Sequence, residues 1–246
     1  MENKINIIWY NELDSTNSEA LRHISDFDNL SVIAAICQSG GRGQRGNRWF
    51  SAPGENLTFS IVLKPGIGGI PHITTQNIFD LNRISSLSVT SFLSSQGVEA
   101  SIKWPNDIYF RNRKISGILI ENNIVGDEIV SSVIGIGINL NQTEFPELSN
   151  ATSVKLITGS SIAIKEALEE FCEVFKRTLS LFGNNSLSDI YEDKLFHKGR
   201  LCRYSDYLRD TEFEGKIIGV TDTGRLIVEE GPRRRTYAFK EIGYIL

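Results

Sequence analysis

Apolar and polar positions recur along the chain with two periods, and the periods sort it into short strands, two long helices and a helix-free tail. INIIWY (5–10) reads as a strand, and DSTNSEALRH after it offers several N-cap side chains before a short helix. SVIAAIC (31–37) is a compact apolar run of the kind a buried strand shows, and NLTFSIVL (56–63) alternates apolar and polar residues as a strand does. Across 73–96, Ile78, Leu81, Ile84, Leu87 and Phe92 recur at helical spacing, with Gly97 as a natural stop. ASIKWPNDIYF holds two short strands interrupted by Pro105, RNRK is a turn, and KISGILIEN with EIVSSVIGIGINL forms a hairpin around NIVGD. Ile164, Leu168, Phe171, Phe175, Leu179 and Phe182 make an amphipathic helix. The last fifty or so residues carry only short strands and turns with regular glycines, the pattern of a small barrel, so a boundary falls near His197–Gly199.

Composition narrows the class. With 246 residues and 40% hydrophobic content, the chain is long enough for one sizeable domain and a small one. No run reaches the roughly 18 apolar residues of a membrane span, and MENKINIIWY lacks the sections of a signal peptide, so a cytoplasmic protein without membrane partners is expected. Cys37, Cys172 and Cys202 are scattered and odd in number, which fits structural thiols better than a disulfide framework or zinc site. The net charge of −4 speaks against bulk nucleic-acid affinity. From Lys198 onward, however, ten basic residues face eight acidic ones, and Arg233-Arg234-Arg235 is a contiguous basic run. As a structural feature that run is a solvated hairpin tip; as a functional one it would help dock an acidic partner.

Candidate chemistry gathers where strands end. CQSGGRGQRGNRWFS (37–51) packs four glycines and three arginines into fifteen positions. Glycine lets backbone approach a ligand, and arginine grips carboxylate or phosphate with a planar fork, so the segment suggests a loop that closes on an anion. It is a poor dinucleotide fingerprint, because its basic residues do not suit that turn, and no Walker A sequence is present. Lys103 and Lys114 flank a hairpin with Asp107 between them; alone they would be ordinary hairpin charge. Trp49 and Trp104 could be core, yet Trp49 follows the glycine loop directly, where an aromatic wall against a base is useful. Asn139 lies in an apolar strand, where a buried amide needs partners: a cross-strand contact or a ligand. His23, His72 and His197 are isolated, and no Ser-His-Asp set or metal pair can be assembled from them.

Taken together, STN (15–17), GRGQRGNRWFS (41–51), KWPND (103–107), RKISGIL (113–119) and GIGIN (135–139), in this order, resemble the biotin protein ligases, which attach biotin to biotin-dependent carboxylases. The resemblance covers residues 8–142 in its motifs, and GKIIGVTDTGRLIVEE looks like that family's terminal barrel. It implies an α+β fold: a mixed sheet with helices on one side, of the class II aminoacyl-tRNA synthetase-like biotin/lipoate ligase type (residues 1–197), plus a small SH3-like barrel (198–246). It implies two steps, in which biotin and ATP form biotinyl-5′-AMP and a lysine of a biotin carboxyl carrier protein domain then takes the biotin. Carried over by motif, Ser15, Thr16, Asn17 and Gln38 line the biotin pocket, with Arg42, Gly43, Gln44, Lys114 and Gly117 at the junction with phosphate. Arg42, Arg45, Trp49, Lys103, Asn106 and Asn139 serve ATP. Lys114, Arg42, Lys103 and Asp107 are the catalytic candidates. Two anions must meet in the first step, and one charge pair at about 4 Å and an effective dielectric near 20 is worth roughly 4 kcal/mol, hence the cations. Mg2+ is expected on the nucleotide phosphates, where a single carboxylate such as Asp107 could help hold its water shell.

The fourth position of GRGQRG is often arginine in this family; here it is Gln44, which removes one cationic contact to the intermediate. Fourteen residues before Ser15 are too few for a helix-turn-helix, so the resemblance implies the form without a DNA-binding domain and without DNA as a partner. Homodimers are common in the family. Two rivals are a lipoate ligase, disfavoured by the arginine loop and KWPND, and a non-catalytic biotin or nucleotide binder, disfavoured by retention of both lysines.

Overall fold

The structure is a computed structural model that describes residues 5–146, 148 and 150–245, and the backbone alone of Arg45. Seven strands form one sheet in the order β1-β2-β3-β7-β6-β5-β4: β1 (Ile7–Leu13), β2 (Val32–Gln38), β3 (Leu57–Leu63), β4 (Ser101–Lys103), β5 (Asp107–Phe110), β6 (Arg113–Val125) and β7 (Glu128–Ile138). Only β1 and β2 run parallel, so the sheet is mixed.

The side-chain period of two gives the sheet two different faces. On one face Phe59 and Ile61 of β3 and Ile134 of β7 pack beneath α2 (Phe79–Ser95) and α4 (Ile164–Leu179) in the main core. Phe171 of α4 sits edge-on to Phe59 at 5.0 Å between ring centres. Burial of α4's stripe of Leu168, Phe171, Phe175 and Leu179 is the expected consequence of its 3.6-residue period. On the other face Ile33, Val62 and Val133 make a small cluster with Ala20 of α1 (Thr16–Arg22). Helices therefore lie on both faces, not one, because α1 returns across the sheet immediately after the edge strand β1.

Several elements depart from the sequence pattern. The alternation in β3 suggests a solvated face, yet every residue of the strand is buried, since Thr58 and Ser60 point into a polar seam rather than water. Helix α2 begins at Phe79, and Ile73 is buried in an irregular segment that accepts a hydrogen bond from the Ile129 amide. Two short helices, α3 (Val154–Thr158) and α5 (Ser186–Asp193), lack a long enough apolar repeat to be read from the sequence.

The tail forms a five-stranded antiparallel sheet, β11-β10-β9-β8-β12, from β8 (Leu201–Asp206), β9 (Thr211–Val220), β10 (Leu226–Glu230), β11 (Arg233–Tyr237) and β12 (Ile242–Ile245). Polar contacts tie it to the rest of the chain: the indole N–H of Trp104, in the turn between β4 and β5, donates to the Gly224 carbonyl at 3.0 Å, Arg83 of α2 to the Thr221 carbonyl at 3.1 Å, and the Val220 amide to Glu192 of α5 at 2.9 Å. The basic run lies at the tip of the β10–β11 hairpin, with Arg233 and Arg234 exposed. It opens β11 opposite Glu229 and Glu230 of β10, with Arg235 ion-paired to Glu230 at 2.6 Å and Arg234 to Glu229 at 3.8 Å. Among the described residues no helix is long and apolar enough to cross a membrane.

Candidate active site

The cleft lies on the α1 face of the large sheet, has a volume of about 310 Å³, and continues onto the barrel. Its floor is small because β6 and β7 pair Gly117 with Gly137 and Leu119 with Gly135. A Cβ on Gly137 would come within 2.2 Å of the Trp49 ring, and one on Gly135 within 2.1 Å of Asn17 Oδ1. The glycines of GIGIN thus let one aromatic and one amide lie directly on the sheet.

At the α1 end a polar network runs through side chains that are distant in sequence. Ser15 caps α1, accepting from the Ser18 amide. The Thr16 amide donates to Gln38 Oε1 at 2.8 Å, and the Ser60 hydroxyl lies 2.8 Å from Thr16 Oγ1 and 2.6 Å from Asn17 Oδ1. Asn17 Nδ2 donates to Glu121 at 2.8 Å, and Glu121 also holds the Arg42 guanidinium. Asp14, which opens this helix end, is held down to about 2 by the paired Arg22 guanidinium and then by the Ser15 amide. Such a fixed set of hydroxyls and amides presents both donors and acceptors to a neutral polar ring.

The glycine/arginine segment folds back on itself. Arg42 and Arg48 form an isolated bridge, the Gly43 amide donates to the Asn47 carbonyl at 2.8 Å, and the Trp49 amide to the Gly41 carbonyl at 2.9 Å. The short 3-10 turn Gln44–Gly46 ends on Gly46 at φ +82°, a left-handed conformation that favours glycine. Trp49 Nε1 is buried and has no hydrogen-bond partner among the described residues, a costly state unless something else accepts from it.

The third wall carries the lysines. Register pairs Lys103 with Asp107, but the ion pair forms across strands, between Asp107 and Lys114 at 2.6 Å. Lys103 instead approaches the Tyr109 hydroxyl at 3.2 Å. Burial pushes its ammonium below the ordinary value, helped by Lys114 and opposed by Asp107. Tyr109 is pushed up to about 12, by burial first and then by Asp107. Asn106 Nδ2 donates to the Ile118 carbonyl at 2.7 Å and holds the turn between β4 and β5 against β6.

The cleft therefore brings together Ser15, Thr16, Asn17, Gln38, Arg42, Gly43, Gln44, Trp49, Lys103, Asn106, Asp107, Lys114 and Gly117. Asn139 stands outside the lining. Its Nδ2 donates to the Thr152 carbonyl at 3.0 Å, so the amide stitches the end of β7 to the segment before α3 and only its buried Oδ1 lacks a partner among the described residues. The side chain of Arg45 lies outside the described residues. Sequence reasoning missed Ser60 and Glu121, whose polar character within strands was the available signal, and Phe239, Gly243 and Tyr244, which the barrel contributes to the lining. Among the described residues no group of three His, Cys, Asp or Glu side chains converges as a metal site. The cleft thus offers a divalent cation one carboxylate, Asp107, already engaged by Lys114.

Comparison with known proteins places the chain in a family. Residues 10–139 match the model of the biotin/lipoate A/B protein ligase family. The bifunctional ligase/repressor BirA of Bacillus spizizenii is 30% identical over 87% of this chain, which spans 66% of that protein's length. The biotin–[acetyl-CoA-carboxylase] ligase of Paracoccus denitrificans is 28% identical over 90% of this chain and 93% of its own. Among solved structures, the biotin protein ligase from Aquifex aeolicus in complex with biotin and ATP superposes with a TM-score of 0.78 at 28% identity, covering 97% of both chains.

Proposed function

This chain belongs to the biotin/lipoate A/B protein ligase family, and from that premise we propose that it is an ATP-dependent biotin–[carboxyl carrier protein] ligase. The observation that carries the reading is the single cleft in which a neutral donor–acceptor network, a glycine floor under an indole and three cations are contiguous. The network around Thr16, Asn17 and Gln38 suits the ureido ring of biotin. Trp49 and the glycine floor suit the adenine, and Asn139 Oδ1 would reach it only through a shift of the β7 end. Arg42, Lys103 and Lys114 surround the place where carboxylate and triphosphate would meet.

In the first step a carboxylate oxygen of biotin attacks the α-phosphorus of ATP. The bond from that phosphorus to the bridging oxygen breaks, and pyrophosphate leaves with the electron pair. In the second, an uncharged lysine amine of the carrier attacks the acyl carbon, the bond from that carbon to the phosphate oxygen breaks, AMP leaves with the electron pair, and the nitrogen gives up a proton to solvent as the amide forms. Neither step needs a side-chain nucleophile, so the chain's contribution is position and charge. Mg2+ favours phosphate oxygens and water with one or two carboxylates; bound with the nucleotide it would offset phosphate charge, and Asp107 would help hold its shell on exchanging Lys114 for it. Arg42 must exchange Glu121 for phosphate, and a closed 38–51 loop would keep water from the mixed anhydride. In this reading residues up to 197 bind biotin and ATP, and residues 198–246 form the SH3-like barrel that closes the cleft.

The test is incorporation of labelled biotin into a carrier domain with ATP, run beside labelled lipoate. Biotin transfer with pyrophosphate release is expected. Transfer of lipoate alone would reassign the chain within its family, and binding without pyrophosphate release would make it a non-catalytic binder.

A further inference from the structure

The two cleft lysines have opposite surroundings. Lys114 is neutralised by Asp107 at 2.6 Å. Lys103 has no carboxylate within ion-pair distance among the described residues; its ammonium donates to the Tyr109 hydroxyl at 3.2 Å and lies against two aromatic rings, 4.5 Å from the centre of Tyr109 and 5.0 Å from that of Tyr244. The two rings come from different parts of the chain. Tyr109 is in β5, beside Lys103 in the same hairpin, whereas Tyr244 is in β12 of the barrel. Tyr244 is held there by rings on both sides, Tyr204 at 5.6 Å and Phe196 at 6.1 Å, and its hydroxyl is buried without a partner among the described residues. What the phenol offers Lys103 among the described residues is therefore its ring.

An aromatic face attracts a cation through its quadrupole and neutralises none of its charge. A carboxylate would attract Lys103 more strongly, but it would also occupy the ammonium protons and repel an incoming anion. We propose that Tyr244 is a positioning residue through which the barrel, together with Tyr109, holds the Lys103 ammonium charged, without a carboxylate partner and facing the cleft, so that the protons it does not donate to the Tyr109 hydroxyl remain for the phosphates of the nucleotide. The inference rests on the ligase reading for the identity of that anion; the cage itself does not. It gives the barrel a specific part in the first reaction step, as distinct from any part in meeting the carrier.

The experiment keeps ring size nearly constant and changes only the quadrupole. In the full chain, Tyr244→Phe is the reference, and phenylalanines bearing one, two and three ring fluorines replace it at 244. Biotin-dependent pyrophosphate release from ATP is expected to fall stepwise, mainly through a higher KM for ATP, reaching about tenfold in kcat/KM at three fluorines, the size of a desolvated cation–π contact. The same series in a Lys103→Met background is expected to be flat. An isotope-labelled lysine titration by NMR is expected to show the Lys103 pKa falling along the series, whether or not biotin is the substrate. A rate that does not respond to fluorination, an equal slope in the Lys103→Met background, or an unmoved Lys103 pKa would each overturn the cage. Absence of biotin-dependent pyrophosphate release from the unaltered protein, with the Lys103 pKa still tracking fluorination, would overturn the ligase reading and leave the cage standing.

Discussion

Lys114 shows how one side chain is assigned at the residue scale. It lies 5.7 Å from the centre of the Trp49 ring and 2.6 Å from Asp107, with about a quarter of its side chain exposed. Lys114→Ala removes a preorganised cation from the phosphoryl centre, so adenylate formation should drop by about 10²–10³, the loss typical of one such donor. The partly exposed ion pair contributes little to stability, and the melting temperature should fall by only about 2–4 °C. ATP–pyrophosphate exchange close to that of the unaltered protein would remove the assignment. Arg42→Ala should act similarly on formation and retention of the adenylate. Gln44→Ala should raise the leak of free adenylate only modestly, because an amide offers a hydrogen bond and no charge; a large Gln44 effect measured by adenylate release would contradict this. His197 makes a different prediction. Its ring stacks on Phe196 at 3.7 Å, and burial first, then Arg200 and Lys103, holds its pKa below the ordinary value. The unfolded chain therefore takes up this proton near pH 6.5 while the folded one does not. Stability from this group is complete above that pH and declines as pH falls through the folded value. Denaturant midpoints measured between about pH 5 and 8 should show this acid-side slope, and it should flatten in His197→Gln.

At the scale of elements, the 38–51 segment and strand β7 are one device. Trp49 closes the segment's own backbone bridge and rests its ring on Gly137. Gly137→Ala would place a Cβ within 2.2 Å of that ring, so the indole must leave the floor. ATP-dependent turnover should fall at least about tenfold while biotin binding is less affected, since the α1 network lies elsewhere along the cleft; a cost of even 1.4 kcal/mol in seating the nucleotide suffices. Equal losses in biotin and ATP affinity by calorimetry would mean the whole sheet had distorted. Ordering backbone costs roughly 1–2 kcal/mol per residue, and an adenylate that engages Arg42 and Trp49 can offset this better than biotin. Amide exchange across 38–51 should slow most with a stable adenylate analogue and less with biotin. Equal protection in all states would show a rigid segment.

At the scale of the whole molecule, the barrel matters through its seam with the large sheet more than through its surface charge. Arg235 pairs with Glu230 and Arg234 lies 3.8 Å from Glu229, so two of the three charges already face carboxylates, and replacing Arg233, Arg234 and Arg235 with serine should leave transfer to an acidic carrier within about twofold at low ionic strength. A tenfold loss in labelled-biotin transfer would restore the docking role that the bare sequence suggests. Trp104→Phe, by contrast, removes the bond to the Gly224 carbonyl and should lower unfolding free energy by about 1 kcal/mol, read from chemical denaturation.

Local pattern alone determined a good deal: most strands, the α4 stripe, the strand break at Pro105, the helix stop at Gly97, and the motif residues that converge on one cleft. These follow from periodicity, turn chemistry and short motifs, all of which act over a few residues. The fully buried β3, the network through Ser60 and Glu121, the partner choice of the two lysines and the entry of Tyr244 into the site were decided only by tertiary structure. Asn17 meets Glu121 across 104 positions, and Trp104 meets Gly224 across 120. Whether a polar side chain is solvated, paired or caged depends on what the sheet and barrel bring beside it. In isolation Lys103 and Lys114 look the same in sequence; a carboxylate beside one and two aromatic rings around the other make them chemically different.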